Sequence, residues 1–118
     1  MTIQNWSDTI TVVELTDDPQ FTDELNALTE SYEDKPCDVA LNMSGVGFIN
    51  SSNISRLLRL RKLILSRQRK LILAAVTTQV WGVFLVTGLE KIFEFTKDMS
   101  TALATLQLGD TKTKPRKT

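Results

Sequence analysis

The sequence predicts an α/β fold: a mostly parallel sheet with an antiparallel N-terminal strand pair, covered by about four helices. Three observations carry this. Runs of strand length alternate along the chain with segments whose apolar residues recur at helical spacing. The run Leu71-Ile72-Leu73-Ala74-Ala75-Val76 is continuously apolar, as a strand covered on both faces is. The first two strand segments adjoin and can pair antiparallel, whereas helices separate the later ones and imply right-handed crossovers between parallel strands.

Each element has its own signal. A short strand is predicted around Ile3–Trp6, followed by the β-branched Thr9-Ile10-Thr11-Val12-Val13-Glu14-Leu15. Thr16-Asp17-Asp18-Pro19 offers cap residues and a proline suited to a first helical turn. Phe21, Leu25, Leu28 and Tyr32 then mark a helix from about Pro19 to Tyr32, stopped by Lys35-Pro36. Asp38-Val39-Ala40-Leu41-Asn42 reads as a buried strand, and Met43 to Asn50 as a loop punctuated by Gly45 and Gly47. Ser51-Ser52-Asn53 supplies caps for a helix to about Ser66. After the Leu71–Val76 strand, Thr77 or Thr78 caps a helix through Val86 that closes at Gly88. Ile92-Phe93-Glu94-Phe95 is the last strand. Asp98 caps a final helix whose apolar face is Met99, Ala102, Leu103 and Leu106. The domain is expected to span 1–108, with residues 109–118 a disordered basic tail.

Composition narrows the function. The chain has 118 residues, 42% of them hydrophobic and 24% charged, enough for one core without staples. It has no histidine and a single cysteine, Cys37. That excludes His-based triads, His general bases, Cys-rich metal clusters and an intramolecular disulfide. No cofactor is expected. The start Met1-Thr2-Ile3-Gln4-Asn5-Trp6 has neither a basic stretch nor an apolar run, and the apolar stretch Leu71–Leu89 is interrupted by Thr77, Thr78, Gln79 and Gly82. Neither a secretory signal nor a membrane span is expected, and a cytoplasmic location is.

Zero net charge conceals an asymmetry. Residues 1–38 carry ten acids and one base, residues 39–89 seven bases and no acid, and residues 90–118 four acids and six bases. The separation points to a charged protein partner or to acidic and basic helices lying side by side; bulk attraction to nucleic acid is not indicated.

The stretch Val39-Ala40-Leu41-Asn42-Met43-Ser44-Gly45-Val46-Gly47-Phe48-Ile49-Asn50-Ser51-Ser52-Asn53-Ile54-Ser55-Arg56-Leu57-Leu58 resembles the central motif of the STAS family, the anti-sigma factor antagonists. There a buried strand leads into Ser-Gly-Val, two further residues, Ile-Asp-Ser-Ser-Gly-Leu and a Leu-bearing helix. Gly88-Leu89 and Phe93-Glu94-Phe95 resemble later landmarks, so the likeness covers roughly residues 3–108. The resemblance implies a STAS-like regulatory module, not an enzyme, that binds an anti-sigma factor with a histidine-kinase-like ATPase fold. It implies that Ser51, which matches the family's phosphorylated serine, is the site of a switch that breaks the complex. Asn50 stands where the family has Asp, and Asn53 where it has Gly. The alternative is a non-phosphorylated STAS scaffold subunit of a sensory (stressosome-like) or lipid-transport assembly, with Ser51 purely a helix cap.

Read from the residues alone, Ser51 at a helix start is a cap worth about 1 kcal/mol, and phosphate there meets the positive end of the helix dipole. On a helical wheel Ile54, Leu57, Leu58, Arg61, Ile64 and Leu65 form the core stripe, and Arg56, Arg59, Leu60, Leu63 and Arg67 lie opposite. Leu60 and Leu63 among arginines suit either an acidic, partly apolar partner or a neighbouring helix of the domain. Arg61, inside the stripe, is expected to reach an acid of the first helix. The expected partner surface is therefore Asn50, Ser51, Ser52, Asn53, Arg56, Arg59, Leu60 and Leu63. Asp17 and Asp18 read as a cap and a solvated charge. Val80 to Val86 is apolar almost all round, and a spare Trp81 or Leu85 surface suits a weak homodimer.

Overall fold

The computed structural model describes residues 3–111, with side chains to Leu108. Its elements are β1 (Ile3–Asn5), β2 (Ile10–Thr16), α1 (Gln20–Tyr32), β3 (Asp38–Gly45), α2 (Ser51–Ser66), β4 (Leu71–Ala74), α3 (Thr78–Thr87), a 3-10 turn (Leu89–Lys91), β5 (Glu94–Thr96) and α4 (Met99–Thr111). The five strands lie in the order β1-β2-β3-β4-β5. β1 pairs antiparallel with β2, and every later pairing is parallel. This is the α/β architecture the alternation predicted.

Strand period assigns two faces. Val13, Leu41, Leu73 and Phe95 are in register across four strands. With Leu15, Val39 and Met43 they meet Phe21, Leu25 and Leu28 of α1, Leu57 and Ile64 of α2, and Val80 and Phe84 of α3. The opposite face presents Ile10, Val12, Ala40, Ile72 and Ala74 to Ala102 and Leu106 of α4. Alanines on both sides let that helix lie close to the sheet. Trp81 is half-buried and meets Phe95 edge to face at 4.9 Å, so it belongs to the aromatic cluster with Phe84 and Phe93. Leu85 and Val86 remain exposed beside it.

Several boundaries differ from expectation, each for an identifiable physical reason. β3 runs on to Gly45, because the end of β2 follows it: Thr16 pairs with Gly45 after a register shift beyond Glu14. β4 stops at Ala74, since Ala75 takes a left-handed φ of 59°. The last strand is displaced to Glu94–Thr96 by the 3-10 turn, which holds the Ile92 N–H on the Leu89 carbonyl at 3.0 Å. Gly88 does close α3, with φ 76°. α4 runs to Thr111, so residues 109–111 are helical rather than part of the expected tail, and the remainder of that tail, 112–118, lies outside the described residues.

The stripe of α2 is rotated relative to the wheel. Its fully buried residues are Asn53, Leu57, Leu60 and Ile64, while Leu65 is 44% exposed. Leu60 is therefore core, not partner surface, and Leu63 packs half-buried against the same core. The rotation turns a leucine inward in place of Arg61, whose guanidinium would lose its hydration there. Arg61 faces the starts of β4 and β5, beside Leu65, Leu71 and Ile92, and makes no ion pair among the described residues. The links from α2 to α1 come instead from Arg56, which donates to Asn26 at 2.9 Å, and from an Arg67–Glu33 ion pair.

Candidate functional site

β2, β3 and β4 send their carboxyl ends to one edge of the sheet, and the loops that follow them converge there. In open sheets of this kind such an edge hosts the functional surface. The loop after β3 is held from both sides. Asp17 Oδ1, from the loop after β2, accepts the N–H groups of Gly47 at 2.8 Å and Phe48 at 3.3 Å. Thr77, from the loop after β4, donates its hydroxyl to the Val46 carbonyl at 2.8 Å. Val46 and Ile49 are buried as pins beneath it. Gly45 is required at the entry, because a Cβ there would lie 2.9 Å from the Leu15 carbonyl oxygen. Phe48 lies between the pins and is 68% exposed.

This loop delivers the chain to α2 at a defined angle. Asn50, extended at φ −121° and ψ −179°, is the N-cap. Its Oδ1 accepts the Asn53 N–H at 2.9 Å, and Asn53 Oδ1 accepts the Asn50 N–H at 3.0 Å, a reciprocal capping box. Asn53 Nδ2 then donates to Asp18 Oδ2 at 2.9 Å. Asp18 Oδ1 accepts from the Thr22 N–H and hydroxyl at the start of α1. These bonds, the Asn53 amide foremost and then Thr22, hold the Asp18 carboxyl below its ordinary value of 3.8. Asp18 thus couples the N-termini of two helices.

Ser51 is the first residue of α2, and Ser51 and Ser52 are exposed. Among the described residues nothing hydrogen-bonds the Ser51 hydroxyl. The cap expected at Ser51 is made by Asn50, so the serine is free of that structural duty. Asn53, expected on the partner surface, is 2% exposed and serves the cap from beneath. The surface that remains comprises Phe48, Asn50, Ser51 and Ser52, with half-buried Arg56 and exposed Arg59 further along α2.

Sequence reasoning missed Phe48, Asp17 and Asp18 as parts of this site. Phe48 stood inside the quoted motif but in a loop, where burial has no period to read. Asp17 and Asp18 act across more than 25 residues of chain, and adjacent carboxylates before a proline carry no sign of where they reach.

The STAS domain family matches residues 8–102. A crystal structure of a candidate anti-sigma factor antagonist from Thermotoga maritima superposes with TM-score 0.77 at 15% identity, covering 89% of this chain and 92% of that one. An anti-sigma-factor antagonist (STAS) domain protein from Planctomyces limnophilus gives TM-score 0.76 at 20% identity, covering 89% and 97%. At such identities these likenesses show the fold. No curated protein sequence matches the chain. Among the described residues no helix is long and apolar enough to cross a membrane.

Proposed function

The chain belongs to the STAS domain family, and from that premise we propose that it is an anti-sigma factor antagonist switched by phosphorylation of Ser51. Its partner on this reading is an anti-sigma factor with a histidine-kinase-like ATPase fold, in the cytoplasm, and its work is binding rather than catalysis. The observation that carries the reading is the unengaged Ser51 hydroxyl on a braced edge, beside an exposed phenyl ring. Phe48 supplies an apolar anchor, and Arg56 and Arg59 supply positive charge for an acidic partner surface. The resemblance to antagonist structures from Thermotoga maritima and Planctomyces limnophilus supports the same role.

A phosphate at Ser51 would sit at the positive end of the α2 dipole, so the fold tolerates it. A partner packed over the neutral serine would instead meet a desolvated dianion, at a cost of several kcal/mol if unpaired. Asn50 makes the N-terminal cap of α2, so the Ser51 hydroxyl is available for modification on this reading.

Affinity for a partner co-purified from the native host tests the proposal, with ATP-dependent mass shift mapped by peptide. Ser51→Ala should keep binding and abolish phosphate incorporation. Ser51→Asp should stay folded and bind more weakly than wild type. Equal affinity for wild type and Ser51→Asp, with no phosphate on Ser51, would remove the switch and leave the scaffold.

A further inference from the structure

At the opposite edge of the sheet, where β4 and β5 begin, a hollow of about 120 Å³ opens beside the second half of α2. Its floor is Leu71 and Phe93, each nearly buried. Its apolar walls are Leu65 and Ile92, left 44% and 42% exposed although both are large aliphatic residues. Arg61 and Lys70 line it together, with Glu94 also on its rim. Among the described residues neither cation pairs with Glu94 or with any other acid; the acidic α1 is linked through Arg56 and Arg67 instead.

From this juxtaposition we infer that the hollow is a binding site for a small monocarboxylate with a short branched aliphatic body. Two cations outside any ion pair among the described residues, beside incompletely covered hydrophobic walls, fit a molecule with one anionic end and one apolar end. The size is below the roughly 300–1,000 Å³ of sites for drug-sized ligands and cofactors, which limits the body to a few carbons. With Glu94 on the rim the lining carries a net charge of +1, which a single carboxylate balances. The carboxylate sits between Arg61 and Lys70, and the aliphatic body covers Leu65 and Ile92. Ser51 starts α2 at the other edge, so occupancy here is independent of the antagonist reading.

The test is titration of the 15N-labelled full chain with 4-methylpentanoate, followed by amide chemical shifts. Saturable shifts confined to residues 61–71 and 92–94 are expected, and they should persist in Ser51→Asp. The neutral 4-methylpentanamide should bind about tenfold more weakly or worse, and so should the carboxylate to the Arg61→Gln/Lys70→Gln double variant. The double variant's unperturbed amide spectrum away from the hollow verifies its fold, and Ile92→Asp in the wild-type background should abolish the shifts independently. Equal affinity for the amide, non-saturating shifts, or shifts centred elsewhere would overturn the inference.

Discussion

Asn50 and Ser51 are neighbours with separable duties. The asparagine closes the first turn of α2 through Asn53, whereas the Ser51 side chain points to solvent with no internal partner among the described residues. Asn50→Ala should therefore cost about 1 kcal/mol of stability, and Ser51→Ala only a few tenths. Chemical denaturation of the two variants checks this; equal losses would return the capping role to the serine. Tyr32 offers a second residue-scale test away from the site. Its hydroxyl is buried, donates to the Cys37 carbonyl and accepts the Cys37 N–H at 3.2 Å. Burial pushes its pKa up from 10.0 to about 12. A raised folded-state value gives stability that is fully present below pH 10 and is lost as pH rises through 12. Because Tyr32 is the only tyrosine, tyrosinate absorbance reports it alone. A midpoint near 10 in the folded protein would contradict the burial argument.

At the scale of elements, α2 has two flanks and two ends with different work. Leu57, Leu60 and Ile64 face the sheet with no exposure, Arg56 and Arg67 bind α1, and Arg59 faces solvent. Leu60→Ala should destabilise the fold by about 2–5 kcal/mol through the cavity it leaves. Arg59→Glu should leave stability within about 0.5 kcal/mol of wild type and weaken only the partner complex. Thermal unfolding beside the binding assay separates the two, and a stable Leu60→Ala would place that residue back on the surface. The wheel misassigned Leu60 because leucines and arginines alternate along Leu57 to Leu63, so two neighbouring stripes are almost equally apolar. Choosing between them takes the sheet and α1, which fix how the helix is rolled.

Across the whole molecule the charge asymmetry divides between fold and function. Part of it is spent internally, where Arg67 meets Glu33 and Arg69 meets Asp38. Arg59, exposed on α2, belongs to the proposed partner surface; on that proposal association should slow as salt is raised and Arg59→Glu should flatten that dependence. Association rates from low to high ionic strength measure it; a salt-independent rate would mean that apolar contact through Phe48 governs encounter. The order of elements, the parallel sheet, the antiparallel first pair and the placement of Ser51 at a helix start were all determined by the sequence, because period and capping chemistry are local. The roll of α2, the end of β3 and the bracing of the 46–50 loop were decided only by tertiary structure. Asp17, Asp18 and Thr77 reach that loop from other strand ends, and short-range patterns carry no record of contacts made across some thirty residues.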